Sequence, residues 1–373
     1  MATIPKLYGL PHSLYTGKVR SYLRKQGIAY RETAPSDPHF TQTLVPKIGR
    51  VIIPVLELAD GAVVQDTVDI IDHFEQIGVR YPAYPEKKRQ RGVAHLFELY
   101  SVVSLTRHAM HYRWSYLAEQ EAFLRDAFSA GGDPERTAST MARMSSYLPM
   151  LGVSQETIPA IEESYHQLLA GLEAHFAAYP YLLGSQPSIG DYSLFGPLFA
   201  HLGRDPVPLA IMQREAPKVF RWVERMHAPD LDLVEYGQAG GEGGFAPGDR
   251  IPASLDPVLD QIAAELLPGL TDQLEVMCAH VASGAAQPGQ PVTAKPHQRI
   301  IGQTETSFRG IPYTGGVQPY TFFLWQRLRE AADGSDAVHE LFARHRLSPL
   351  LDSQLPIRVE RADNIEKWGA FTN

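Results

Sequence analysis

The sequence predicts a small α/β domain, then an all-helical domain, then a mostly helical C-terminal extension. Three observations carry this. Strand-like and helix-like patterns alternate over the first 78 residues; helical periodicity fills 88–228 almost throughout; and a glycine-rich stretch, QAGGEGGFAPGDR at 238–250, interrupts the chain before helices resume. The implied domains are 1–80, 88–228 and 229–373, with YPAYPEKKRQ as a linker.

Residues 4–9 are short and apolar, which reads as a strand. Residues 16–26 place Val19, Tyr22 and Leu23 at helical spacing, and Gly27 closes that helix. Ile28 to Thr33 alternates weakly as a second strand, and PSDPHF follows as a loop. GRVIIPVLEL is a β-branched run broken by Pro54, and proline inside a strand pattern marks an edge or a special backbone site. Asp60-Gly61 is a hairpin turn signal between VLEL and AVV. TVDIIDHFEQIG then puts Val68, Ile70, Ile71 and Phe74 on one side of a helix that ends at Gly78.

Amphipathic stretches follow at 89–129, 155–179, 190–203 and 216–227. Within PSIGDYSLFGPLF, Ser188 and Asp191 form a helix-start pair of the capping-box kind, with Asp in place of Glu, and capping accounts for both. The 238–250 stretch lacks G-x-G-x-x-G spacing and follows no strand, so it is not a dinucleotide site. In the extension, 254–282 and 320–346 read as helix, SGAAQPGQPVTAKPHQ as flexible, and RIIGQTETSFRGIPYTGG as short strands.

The chain has 373 residues, 44% hydrophobic and 20% charged, as expected of a globular protein of two or three domains. A net charge of -8 disfavours nucleic acid as a partner, since phosphate binding needs a basic face. A single cysteine, Cys278, excludes an internal disulfide and fits a reducing, cytoplasmic compartment. No secretory signal is expected from MATIPKLYGL, and no apolar run approaches the length of a membrane span.

Four local patterns then fall in a familiar order. SLYTGKVRSYLRKQGIAY resembles the first loop and helix of the glutathione transferase superfamily. VIIPVLEL resembles its strand with the cis-proline, and VVQDTVDIIDHFE its strand-to-helix turn that holds the γ-glutamyl end of glutathione. YLLGSQPSIGDYSLFGPL resembles the capping motif of its second-domain core helix. The resemblance spans residues 4–228 and implies a thioredoxin-like N-terminal domain and an all-α C-terminal domain. It also implies glutathione as co-substrate, no metal, a small-molecule electrophile as partner, a role in detoxification, and a homodimer. Residues 229–373 resemble nothing in that layout.

Binding glutathione takes anion sites at both ends and a donor near the sulfur. Lowering a thiol pKa by about two units needs roughly 2.7 kcal/mol. A charge-assisted hydrogen bond supplies about 1.5–3 kcal/mol, and a helix N-terminus about 0.3–1, or up to about 2 when partly buried. One hydroxyl and one helix end are therefore enough.

On the resemblance, Ser13 occupies the thiolate-stabilising position of serine-type members, and the absence of cysteine there excludes mixed-disulfide chemistry at that residue. The plain alternative is that Ser13 caps the helix. Tyr8 is a second candidate donor that reads as a strand residue, and His12 and Tyr15 are neighbours of the sulfur. Ile53 and Pro54 would pair with the cysteinyl backbone. Asp66 and Thr67, assisted by Gln65, would hold the γ-glutamyl end at a helix start. Arg50, Lys47 and His39 are candidates for the glycyl carboxylate. His108, His111, Tyr112 and Tyr116 are candidates for a second-substrate pocket, together with Tyr15, although aromatic residues at helical spacing also make core. His108 and His111 lack a third ligand spaced to complete a metal site, and no G-x-S-x-G supports hydrolysis. The alternative function is a non-catalytic binding or scaffold protein on the same fold.

Overall fold

The structure, a computed structural model, describes residues 4–129, 132–240, 243–295 and 297–372. The N-terminal unit runs β1 (Lys6–Tyr8), α1 (Leu14–Lys25), β2 (Arg31–Thr33), a short α2 (Val45–Ile48), β3 (Val55–Glu57), β4 (Val63–Gln65) and α3 (Thr67–Ile77). Its sheet has the order β2-β1-β3-β4, with β1 and β2 parallel and the other pairs antiparallel. This is the expected thioredoxin-like unit. Gly27 takes a left-handed φ of 68° just past α1, and Gly61 one of 86° in the β3–β4 turn; only glycine does this freely. The Ile53-Pro54 bond is cis.

The helical domain comprises α4 (Lys88–Val103), α5 (Leu105–Trp114), α6 (Leu117–Ser129), α7 (Pro134–Ser145), α8 (Ile158–Phe176), α9 (Ile189–Ala200), α10 (Pro206–Glu215) and α11 (Pro217–His227). The long predicted stretch at 89–129 is thus three helices, and α7 and α10 lie outside the predicted stretches. At the start of α9, Asp191 accepts from the Ser188 N–H and hydroxyl, each at 2.8 Å, and from the Leu182 N–H at 2.9 Å. The capping reading holds. The two domains are joined by a buried ion pair between Lys18 of α1 and Glu98 of α4 at 2.8 Å, with His95 3.1 Å from the same carboxylate.

The extension comprises α12 (Asp256–Ala282), β5 (Gly302–Phe308), β6 (Ile311–Val317), α13 (Pro319–Ala332), α14 (Asp336–Arg344), α15 (Pro349–Asp352), β7 (Ile357–Ala362) and β8 (Ile365–Phe371). It is therefore helical with two antiparallel hairpins, one of them at the strands expected in 299–316 and the other unexpected. Each hairpin turns on two residues of positive φ, Arg309-Gly310 and Asp363-Asn364, the geometry that matches the twist of the paired strands.

The extension is packed into the body. α13 lies along α4, α12 lies against α8 and β5, and β7 lies against α13. Phe322 and Leu328 are fully buried, and each such side chain contributes about 1.5–3 kcal/mol. The Trp325 indole donates to the Leu350 carbonyl at 2.7 Å. Among the described residues no helix is long and apolar enough to cross a membrane.

Candidate active site

The N-terminus of α1, the Ile53-Pro54 bend, the end of β4 and the N-terminus of α3 converge on one cavity of about 40 Å³. Tyr15, Ile53, Pro54, Gln65 and Asp66 line it from the N-terminal domain. Asp66 is the N-cap of α3 and accepts from the Val68 N–H at 2.9 Å. Its φ is 95°, a region that costs a non-glycine residue about 1–3 kcal/mol and is retained where surrounding structure enforces it. Ser13 caps α1 in the same way, its Oγ accepting from the Thr16 N–H at 3.3 Å. Ser13 is half-buried and stands beside the cavity-lining segment without being part of the wall.

The rest of the wall comes from the extension, with Arg299, Gln318, Tyr320 and Glu366 among its residues. The Tyr320 hydroxyl donates to Asp66 Oδ1 at 2.7 Å. The Gln65 N–H donates to Asn364 Oδ1 at 3.1 Å, at the tip of the β7–β8 hairpin. Arg361 donates to Asp69 Oδ2 at 2.9 Å and to the Gln65 carbonyl at 3.0 Å. Arg50, buried, donates to Gln65 Oε1 and the Asn364 carbonyl, each at 2.9 Å, and pairs with Glu366 at 3.3 Å.

Burial alone would raise the Asp66 pKa; Arg361, the Val68 N–H and the Tyr320 hydroxyl outweigh it and hold the carboxyl below the ordinary range. Burial and then the Asp66 charge push the Tyr320 hydroxyl well up, so it remains a donor. A cavity of this size holds water and excludes a tripeptide.

The other predicted residues lie elsewhere. Tyr8 faces Glu57 at 3.3 Å, beside His39 and Phe40, and burial pushes its hydroxyl up to about 12. His39 pairs with Glu57 at 2.8 Å, so it is not at the cavity, and Lys47 is exposed on α2. His12 packs tilted against Phe128 with ring centres 4.2 Å apart, and burial pulls its pKa down to about 3, leaving it neutral. Thr67 is buried at the first position of α3 and does not reach the wall.

The second-substrate candidates His108, His111 and Tyr112 lie in the interior. His108 is fully buried, 2.7 Å from Ser164 Oγ; His111 lies between Ser115 and Glu162; Tyr112 packs between Tyr116 and Tyr165. These three are core, and only Tyr15 of that set lines the cavity. Among the described residues no three His, Cys, Asp or Glu side chains gather as a metal site.

Residues 7–79 match the family model described as glutathione S-transferase, N-terminal domain, and residues 155–225 match glutathione S-transferase, C-terminal domain. With both domains present in that order, residues 7–225 belong to the glutathione S-transferase superfamily. No curated protein matches it. A glutathione S-transferase structure from Rhodospirillum rubrum is similar at 14% identity over 67% of this chain and 97% of its own, with a TM-score of 0.41. A glutathione transferase from Phanerochaete chrysosporium is similar at 18% identity over 61% and 97%, with a TM-score of 0.44. A GST-like protein from Pseudomonas syringae is similar at 21% identity over 66% and 76%, with a TM-score of 0.43.

Proposed function

We propose that this chain is a glutathione-dependent transferase that activates the glutathione thiol for attack on a small hydrophobic electrophile, and that its own C-terminal hairpin competes for the glutathione site. The observation that carries the reading is the convergence of Ile53-Pro54, Gln65 and Asp66, from separate segments, on one cavity, with Arg50 bonded to Gln65 behind its wall. The groups now on those residues support it. Arg361 brings a cation to Asp66 and Asp69, and Glu366 brings an anion to Arg50. Those are the charges a zwitterionic peptide would present there. Glutathione displaces the hairpin tip and Tyr320 to reach the same partners.

In that bound state the Ser13 hydroxyl is the thiolate donor. Its oxygen accepts from Thr16, which leaves its own proton free to donate towards a sulfur at the α1 N-terminus. Tyr15 is the second-substrate residue in this reading, supported by its position in the cavity wall.

The second reading is a non-catalytic binding or scaffold protein, favoured by the Tyr320–Asp66 hydrogen bond and the small cavity. Proton release on glutathione addition at neutral pH, followed by turnover of a model aromatic halide, separates the two. The transferase reading expects both in the wild type and loss of both in Ser13→Ala. Binding without proton release or turnover supports the scaffold.

A further inference from the structure

A second cavity of about 40 Å³ lies between α5, α12 and the β5–β6 hairpin, divided from the first by Tyr320, which lines both. Its wall includes Arg107, Gly269, Gln273, Thr306 and Tyr313. None of these belongs to the glutathione reading.

Arg107 is 6% exposed. Its Nε donates to the Leu151 carbonyl at 2.6 Å and its Nη2 to the Tyr313 hydroxyl at 2.5 Å. The guanidinium carbon lies 4.3 Å from the Phe308 ring centre and 5.0 Å from that of Tyr313. Nη1 has no hydrogen-bond partner among the described residues, and neither has Oγ1 of Thr306, which is 8% exposed. Buried polar groups are normally paired, so two unpaired ones on one small cavity point to a ligand or ordered water.

Gly269 shapes the space between them. A Cβ there would stand 3.9 Å from each of Gln273 Nε2, Thr306 Oγ1 and Tyr313 Oη, so the gap in front of this helix is ringed by polar atoms. The groups around it are donors. Tyr313 accepts from Arg107 and keeps its own proton, and Gln273 Nε2 donates to the Gly269 carbonyl with its second hydrogen free.

Glu265 also lines the cavity, but its oxygens are engaged. Oε1 accepts from Ser164, Gln261 and Arg309, and Oε2 from Tyr100. Its charge is met by Arg309 at 2.7 Å, whereas Arg107 forms no ion pair among the described residues. Burial pulls the Arg107 guanidinium below its ordinary range, with Tyr313 and Glu265 opposing. The local balance leaves one cation seeking an acceptor.

From this geometry we infer that the cavity is a binding site for a small carboxylate, free or as the arm of a larger ligand, with Arg107 Nη1 and Thr306 Oγ1 as its donors. A carboxylate oxygen suits the guanidinium N–H that neither the Leu151 carbonyl nor the Tyr313 hydroxyl takes. The inference does not rest on the glutathione reading, although Tyr320 lines both cavities.

The test is a thermal-unfolding titration of the full chain with sodium acetate against sodium chloride at equal ionic strength and pH 7. A saturable rise with acetate alone is expected. Thr306→Val, which keeps side-chain shape, should weaken the apparent affinity about tenfold. Gly269→Ala, which fills the gap, should abolish the effect. Acetate indistinguishable from chloride in the wild type, or an equal response in Thr306→Val and Gly269→Ala, would overturn the assignment and leave a water-filled cavity.

Discussion

The Tyr320 hydroxyl donates to Asp66 at 2.7 Å across 254 residues of sequence. Asp66 is the residue that the sequence reading assigns to the γ-glutamyl end of glutathione. The extension thus places a donor where a ligand's amine would go; Arg361 likewise donates to Asp69, whereas Asn364 and Glu366 bring acceptors to the Gln65 N–H and to Arg50.

Removing that donor should cost stability. Tyr320→Phe leaves the half-buried Asp66 carboxylate with one partner fewer, and such a loss costs about 1 kcal/mol. Urea unfolding should show a lower midpoint with an unchanged slope. An unchanged midpoint would mean that water replaces the hydroxyl freely.

The helix-capping role of Ser13 predicts a separate cost. Ser13→Ala removes the oxygen that accepts from Thr16, and a lost N-cap costs about 0.5–2 kcal/mol. Ser13→Asp restores a cap and should recover the unfolding midpoint while leaving thiol activation lost, because a carboxylate repels a thiolate. Recovery of activity in Ser13→Asp would assign the residue to capping alone.

The Lys18–Glu98 pair joins the two domains in a buried setting. Burial would raise the Glu98 pKa, but Lys18 and His95 outweigh it and hold the carboxyl below the ordinary range. Glu98→Gln should cost about 3–5 kcal/mol because it strands the lysine. The double change Lys18→Met, Glu98→Leu should recover most of that, which a double-mutant cycle reads directly.

Acid should destabilise the core through its neutral histidines. Burial pulls His108 down to about 4 and His12 to about 3. Both bind protons more readily when unfolded, where the ordinary value is about 6.5. The stability they contribute is therefore complete above about 6.5 and lost as pH falls through about 4 and 3. Each contributes up to about 1.4 kcal/mol per pH unit to the loss. His108→Gln should flatten the fall in urea midpoint between pH 6.5 and 4 by one proton's worth. An unaltered slope would show that His108 is protonated in the folded state.

Local chemistry made the N-terminal unit readable. The period-two runs around Leu7 and Leu56, the period-3.6 run from Val68 to Phe74, and the glycines at positive φ each report their own backbone. The β7–β8 hairpin carries a similar signal, since IRVERA and IEKWGAF flank an Asp-Asn pair suited to a tight turn. Its destination is another matter. Asn364 meets Gln65 across 299 residues, and no local pattern encodes a contact of that range. The fate of His108 and Tyr112 was hidden for the same reason. Helical spacing says that residues share a face, and α12, through Glu265 on Ser164, makes the His108 face interior.

The central claim is that glutathione and the β7–β8 hairpin compete for the same groups. Asn364→Gly tests it most directly: glycine keeps the positive φ of the turn and removes only the side chain that accepts from Gln65. Calorimetric titration of glutathione into the folded wild type and into this variant should give tighter binding in the variant, by about threefold to tenfold for one released hydrogen bond. Equal affinities, or no binding in either protein, would contradict it.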